Sequence, residues 1–319
     1  MDKTKEEQIQ DILNDEVDIE GAEETEKTER ESTSDSYHLH SGNALNSDDI
    51  YDITAKEKNK MVVLAGLAGS GKTTIETSIY QMFQRNTVAD FFFAGSKTIQ
   101  GYEQRAYYTR IRSRGMNPET QRTSLEIGQS FLHLRLWKKE TDEFTSLLFA
   151  DLSGEAFESH IGRVNDVKKD FPFMDRADFF VGVLDGQLLI DKRARNHTIS
   201  GMIELVRTFY DAEVIGKECT LQIIFSKCDL FSPEIEPVIQ KAEQRFRKKF
   251  EDKFCDIRFF KVAAMPENTK NLPVGYGLEG LLRSWLEKKK KVKQEEVKKK
   301  LNLSEFDKLS YKWFGRTNG

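Results

Sequence analysis

Cysteine is scarce in this chain. Cys219, Cys228 and Cys255 are the only three, and no CxxC or CxH spacing links them. A disulfide framework and a zinc cluster are thereby excluded as organising principles, and the usage fits a reducing compartment. Long hydrophobic runs are missing too. None reaches the roughly 18 residues that a membrane span needs, and the N-terminal MDKTKEEQIQDIL is not a basic segment followed by an apolar one. Charge of one sign is not in large excess: the formal net charge is −4, which gives no global case for nucleic-acid or membrane binding. These absences lead us to expect a soluble, cytoplasmic protein.

Aromatic residues are nearly missing from the first 57 positions, which are dense in Asp, Glu, Ser and Thr. Such a stretch cannot bury enough apolar area to offset its ordering entropy, so residues 1–57 are expected to form a disordered acidic arm. Within it, 9–19 could fold as a short helix on a partner. At the other end, lysines at 288–291 and 298–300 predict a basic, helical tail over 291–319. The tail reads as a solvated face, or more sharply as a surface for anionic lipid or RNA, against which Glu295 and Glu296 count. The hydrophobic fraction of 38% suffices for a substantial core in the part between, and a single domain is expected over 58–290.

The pattern changes abruptly at Met61. Met61–Ala65 is a short apolar run stopped by Gly66, the form of a buried strand. A helix from Lys72 to about Gln84 should follow. Further strands are expected at Phe131–Trp137, Phe144–Ala150, Phe179–Leu184, Leu221–Phe225 and Arg258–Ala263. Helical patterns lie near Ile99–Arg112, Thr198–Tyr210, Ile235–Phe250 and Leu278–Lys290. Alternating strand and helix predict an α/β fold with a parallel sheet between two helical layers. Few polar residues separate the second and third strands, which should form an antiparallel hairpin and place one antiparallel strand at the sheet edge.

Three motifs carry chemistry. Residues Gly66–Thr73 read GLAGSGKT, a complete GxxxxGK[ST] between a strand and a helix. Its glycines let backbone N–H groups turn inward on an anion, and the following helix points its positive end at the same place. Gly66, Ala68, Gly69, Ser70, Gly71, Lys72, Thr73 and Thr74 are therefore candidate phosphate-binding residues. Lys72 is expected to meet the β- and γ-phosphates, and the Thr73 hydroxyl to ligate Mg²⁺. The second motif, Asp151-Leu152-Ser153-Gly154, ends a strand. A carboxylate there can hold Mg²⁺, commonly through water, and Gly154 can bring a backbone N–H to the γ-phosphate. The third, Ser226-Lys227-Cys228-Asp229, again follows a strand and matches [NTS]KxD. A carboxylate at Asp229 can accept from both N1–H and the 2-amino group of guanine, whereas adenine offers an acceptor at N1 and no 2-amino group. The Lys227 stem can lie along the base. Small residues at Ala263 and Ala264 would let a backbone N–H reach the guanine O6.

The order of these motifs resembles the translation-factor-like GTPases in general. The chain is more closely similar to the double-GTPase (DO-GTPase) families associated with prokaryotic conflict and defence systems. That resemblance rests on AGLAGSGKTT at 65–74, AGSKTIQGYE at 94–103, Arg122-Thr123, LLFADLSGEAF at 147–157, VGVLDGQ at 181–187 and FSKCDL at 225–230, and it spans about 61–286. It implies a three-layer P-loop NTPase fold, with GTP/GDP and Mg²⁺ as ligands. The function it implies is a regulatory switch beside protein partners, which it does not identify.

Glu155 stands where many members of the broader class have a water-orienting Gln. A carboxylate near a γ-phosphate is repelled unless a cation screens it, so turnover is expected to be slow. Thr123 is the candidate for a second Mg²⁺ ligand, with Thr98 behind it, and Arg122 the candidate arginine finger in cis. Two other readings stay open at this stage: an ATPase on the same fold, and a nucleotide-gated interaction module with negligible hydrolysis.

Overall fold

The computed structural model describes residues 41–107, 130–267, 269 and 271–287. The expected acidic arm up to residue 40, Arg122, Thr123 and the basic tail lie outside the described residues.

In chain order the elements are α1 (Ser47–Lys56), β1 (Asn59–Ala65), α2 (Lys72–Arg85), β2 (Phe92–Gly95), α3 (Ile99–Ala106), β3 (Phe131–Lys138), β4 (Glu143–Ala150), α4 (Gly154–His160), α5 (Val164–Asp170), β5 (Phe179–Leu184), α6 (Gly186–Ile190), α7 (Arg195–Asp211), β6 (Thr220–Phe225), α8 (Glu236–Phe250), β7 (Ile257–Lys261) and α9 (Leu278–Leu286). Among the described residues seven strands form one sheet in the order β2-β3-β4-β1-β5-β6-β7. Strands β4, β1, β5, β6 and β7 run parallel, while β3 is antiparallel to both neighbours. The β3–β4 hairpin is therefore as the sequence leads one to expect, but β3 is not the edge. Strand β2 covers it, and its register with β3 shifts between Phe93 and Gly95.

Side-chain alternation along each strand divides the core into two layers. Met61, Val63 and Ala65 of β1 point into one, with Phe157, Phe180, Phe209 and Phe246. Val62 and Leu64 point into the other, with Ile75, Ile79, Tyr102 and Trp285. One face thus carries α4, α5, α7 and α8, and the opposite face α2, α3 and α9. Central strands such as β5 are buried on both sides along their whole length, which is why they read as unbroken apolar runs.

Residues 43–57 depart from the expected arm. Helix α1 starts with a reciprocal cap in which Asn46 Oδ1 accepts from Asp49 N at 2.8 Å and Asp49 Oδ2 accepts from Asn46 N at 3.1 Å. Leu45 pairs with Phe131 through two backbone hydrogen bonds of 2.9 and 2.8 Å. Leu45, Ile50 and Ile53 are buried in the core. Glu57 Oε2 accepts from Arg135 Nε at 2.8 Å and from Ser146 Oγ at 3.1 Å, fixing the helix to β3 and β4. Among the described residues the acidic composition hid Leu45, Ile50 and Ile53, enough to seat the helix on the core.

A truncation tests this boundary. Removing 1–40 should leave the melting temperature within a few degrees of the full chain. Removing 1–57 also strips three buried side chains worth about 1.5–3 kcal/mol each, and should lower it by more than about 10 °C. Equal melting curves for the two truncations would show that α1 contributes nothing.

Candidate nucleotide-binding site

Every motif lies at the carboxyl end of a parallel strand, where open α/β sheets form their ligand crevices. The GLAGSGKT loop joins β1 to α2. Gly69 and Gly71 adopt φ of 77° and 97°, a region costly for residues with a Cβ. Gly66 is needed for space: a methyl there would lie 2.6 Å from Val183 O. Ser70 is buried, Ala68 and Gly69 are exposed, and Thr73 and Thr74 are half-buried on the first turn of α2.

Lys72 is buried, and its ammonium donates to Gly66 O at 2.8 Å and Leu67 O at 3.2 Å. Burial pushes its pKa down to about 8, against the opposing pull of Glu76, Glu155 and Asp151. A desolvated cation that donates to two carbonyls of the loop stands where a polyanion can be received.

Gly154 joins the second motif to the first. A Cβ on it would sit 2.2 Å from Ala68 N and 2.6 Å from Leu67 C, so its backbone lies directly on the GLAGSGKT loop. Ser153 caps α4 by accepting from Ala156 N at 3.0 Å. Glu155 is half-buried on the first turn of α4. Asp151, at the tip of β4, is 4% exposed. Its Oδ2 accepts from both Nε and Nη2 of Arg105, the Nε bond being 2.9 Å.

Arg105 on α3 is followed in the sequence by Arg110, Arg112 and Arg114, and nothing in that run singles it out. Only the fold brings it to Asp151. Glu76 is a second residue that sequence reading missed. It lies four residues after Lys72, a spacing that places it on the same helix face. It is 2% exposed, and its Oε2 has no hydrogen-bond partner among the described residues. Burial first, and the nearby Asp151 carboxylate second, push its pKa well above the usual carboxylate range. Thr98, the second candidate for a metal-ligating threonine, lies between β2 and α3 and is bonded to β3. It is fully buried and its hydroxyl accepts from His133 N at 2.9 Å. His133 is likewise structural, with Nδ1 accepting from Lys97 N at 3.1 Å and Nε2 3.0 Å from Ser146 Oγ.

The SKCD motif and the Ala263-Ala264 pair share a cleft of roughly 690 Å³ with the end of the GLAGSGKT loop, within the size range of small-molecule sites. Its lining includes Gly71, Thr74, Ser226, Lys227, Asp229 and Ala264. Lys227 takes a left-handed backbone, φ 52° and ψ 38°. Asp229 Oδ2 accepts from Glu267 N at 3.0 Å. Ala263, which also lines the cleft, has its own N–H engaged with Tyr276 O at 3.0 Å.

A mostly parallel sheet covered on both faces, with a glycine-rich strand-to-helix loop at its centre, defines an α/β P-loop fold of the nucleotide-binding type. The sequence matches the Double-GTPase 2 family over residues 60–286. The chain belongs to that family and is a GTP-binding protein. No curated protein matches the sequence. Among solved structures, a bacterial selenocysteine-specific elongation factor, EF-Sec, is similar with a TM-score of 0.37 and 14% identity. The match covers 71% of this chain and 28% of that one, so this chain spans little more than a quarter of the elongation factor's length. Among the described residues no helix is long and apolar enough to cross a membrane.

Proposed function

We propose that this chain binds GTP with Mg²⁺ and hydrolyses it to GDP and phosphate, acting as a switch on protein partners. The supporting observation is the convergence of GLAGSGKT, DLSG and SKCD on one end of the sheet, with SKCD and the end of the GLAGSGKT loop lining a single cleft.

In this reading, Gly66, Ala68, Gly69, Ser70 and Gly71 present the loop backbone to the phosphates and Lys72 carries the countercharge. Gly154 brings its N–H to the terminal phosphate. Asp229 and the Lys227 stem read the base, Ser226 and Thr74 complete the cleft wall, and the N–H facing O6 falls to Ala264, because that of Ala263 is engaged. Water attacks the γ-phosphorus in line and the bond to the β–γ bridging oxygen breaks, with Lys72 stabilising the charge that builds on the leaving phosphate. Glu155, behind Gly154, orients that water.

The donor set fits Mg²⁺. Asp151 is a buried carboxylate already in contact with a cation, the Arg105 guanidinium, and Thr73 offers a hydroxyl from the start of α2. Among the described residues no three His, Cys, Asp or Glu converge. The protein would therefore supply a hydroxyl and a carboxylate, and the substrate the phosphate oxygens, as is usual for this ion. When bound, Mg²⁺ neutralises phosphate charge. Thr123 as a further ligand and Arg122 as a finger belong to the same proposal, as do residues 1–40 as an arm and 291–319 as a basic tail. A regulatory role in prokaryotic conflict or defence rests on the family resemblance alone.

Calorimetry with GDP and ADP on wild type and Asp229→Asn tests the central assignment. An amide cannot accept from both guanine donors, so the variant should lose about 2–4 kcal/mol of GDP affinity and most of its preference over ADP. Unchanged affinities for both nucleotides would sink the guanine reading.

A further inference from the structure

The segment VGVLDGQ, at the end of β5, takes no part in the mechanism above, yet it is built against the SKCD loop. Ser226 donates to Leu184 O from both its backbone N and its Oγ, each at 3.0 Å. Gly186 lies so close that a Cβ would meet Ser226 O at 2.1 Å. Asp185 stands between them with its side chain only 12% exposed. Its Oδ1 accepts from Gln187 N at 2.9 Å, capping α6, and its Oδ2 accepts from Lys227 Nζ at 2.8 Å. Gln187 itself lines the cleft beside Lys227 and Asp229.

We infer that Asp185 is a positioning residue for purine recognition, acting through Lys227; this rests on the guanine reading above. A lysine ammonium is a strongly hydrated point charge on a flexible stem of four carbons. Left in water it would sweep many rotamers, and ordering it on a base would cost side-chain entropy. Tethering the ammonium to Asp185 removes that freedom before the nucleotide arrives and lays the aliphatic stem along the cleft wall. Asp185 is suited to the task because its second oxygen is fixed by the α6 cap, so the carboxylate cannot follow the lysine into solvent.

The test uses the full chain and four proteins: wild type, Asp185→Asn, Lys227→Ala and the double variant. Asn keeps an oxygen for the Gln187 N–H and loses only the charge that holds Lys227. GDP affinity should fall about tenfold in Asp185→Asn, the weight of one hydrogen bond to a charged group. The double variant should bind no more weakly than Lys227→Ala alone, because the two residues act as one unit. The nucleotide-free melting temperature of Asp185→Asn should stay within about 2 °C of wild type. GDP binding by Asp185→Asn equal to wild type would overturn the inference. So would penalties that add in full in the double variant, or a melting temperature lowered by more than about 5 °C, which marks a purely structural role. If wild type itself shows no preference for GDP over ADP, the guanine reading fails and takes this inference with it. A wild type that prefers GDP beside an Asp185→Asn variant of equal affinity overturns this inference alone.

Discussion

Lys72→Ala should weaken GTP binding by at least about a hundredfold, the expected cost of charge-assisted contacts to two phosphates at roughly 1.5–3 kcal/mol each. The effect on the fold should be far smaller. In the free protein the ammonium is buried and donates hydrogen bonds to two loop carbonyls, and desolvation holds its pKa near 8. Deleting it removes an unfavourable buried charge together with two hydrogen bonds. These terms oppose one another, so nucleotide-free stability at pH 7 should change by no more than about 1 kcal/mol.

The same residue predicts a pH signature. The folded-state pKa of about 8 lies below the ordinary 10.5. Between those values the unfolded chain holds a proton that the folded chain has released. The contribution of Lys72 to nucleotide-free stability therefore rises with pH across that window. The wild-type-minus-variant difference in stability should climb from about pH 8 to about pH 10.5 and be flat below. Denaturation across this range, with and without GTP, reads both effects. A variant that binds GTP normally would remove Lys72 from the site.

Gly154→Ala is the second large effect. Its methyl group would fall 2.2 Å from Ala68 N and 2.6 Å from Ala68 Cα. Both are backbone atoms of the loop, which cannot rotate aside as a side-chain tip can. Either α4 or the loop must shift, at a cost of about 1–3 kcal/mol or more for overpacking. Both are candidate phosphate contacts. GTP affinity should drop by about a hundredfold or more, with a lowered melting temperature. Gly280→Ala serves as the control: it is exposed on α9 with nothing within 4 Å of the added Cβ, and it should stabilise by about 0.5–1 kcal/mol as helical Gly→Ala changes do. Wild-type GTP affinity in Gly154→Ala would show that DLSG and the loop move independently.

Much of the fold was legible because its signals are local. The doubly buried strands announce themselves as apolar runs, and β5 falls on Phe179–Leu184 as read. Helix α8 spans Glu236–Phe250, one residue inside the expected limits. Strand β2 was hidden. It has four residues, and the turn before it places Ala89 and Asp90 at φ 53° and 66°, where the usual hairpin signal would be Asn-Gly or Asp-Gly. Helix α1 was hidden by averaging, since its capping box and its buried Ile50 and Ile53 sit in an acidic stretch whose overall composition resembles a solvated arm.

The sequence by itself determined the chemistry on offer. GxxxxGK[ST], DxxG and [NTS]KxD are short, contiguous patterns, each ending a strand, because a phosphate-cradling loop or a base-reading carboxylate is made by neighbours in the chain. What only the tertiary structure decided is which distant groups oppose them. Arg105 reaches Asp151 across 46 positions, Asp185 reaches Lys227 across 42, and Gly154 meets Ala68 because β4 and β1 are adjacent in the sheet. No periodicity marks such pairs. They are set by strand order and register, which follow from the packing of two apolar layers over the whole domain and not from any local run of residues.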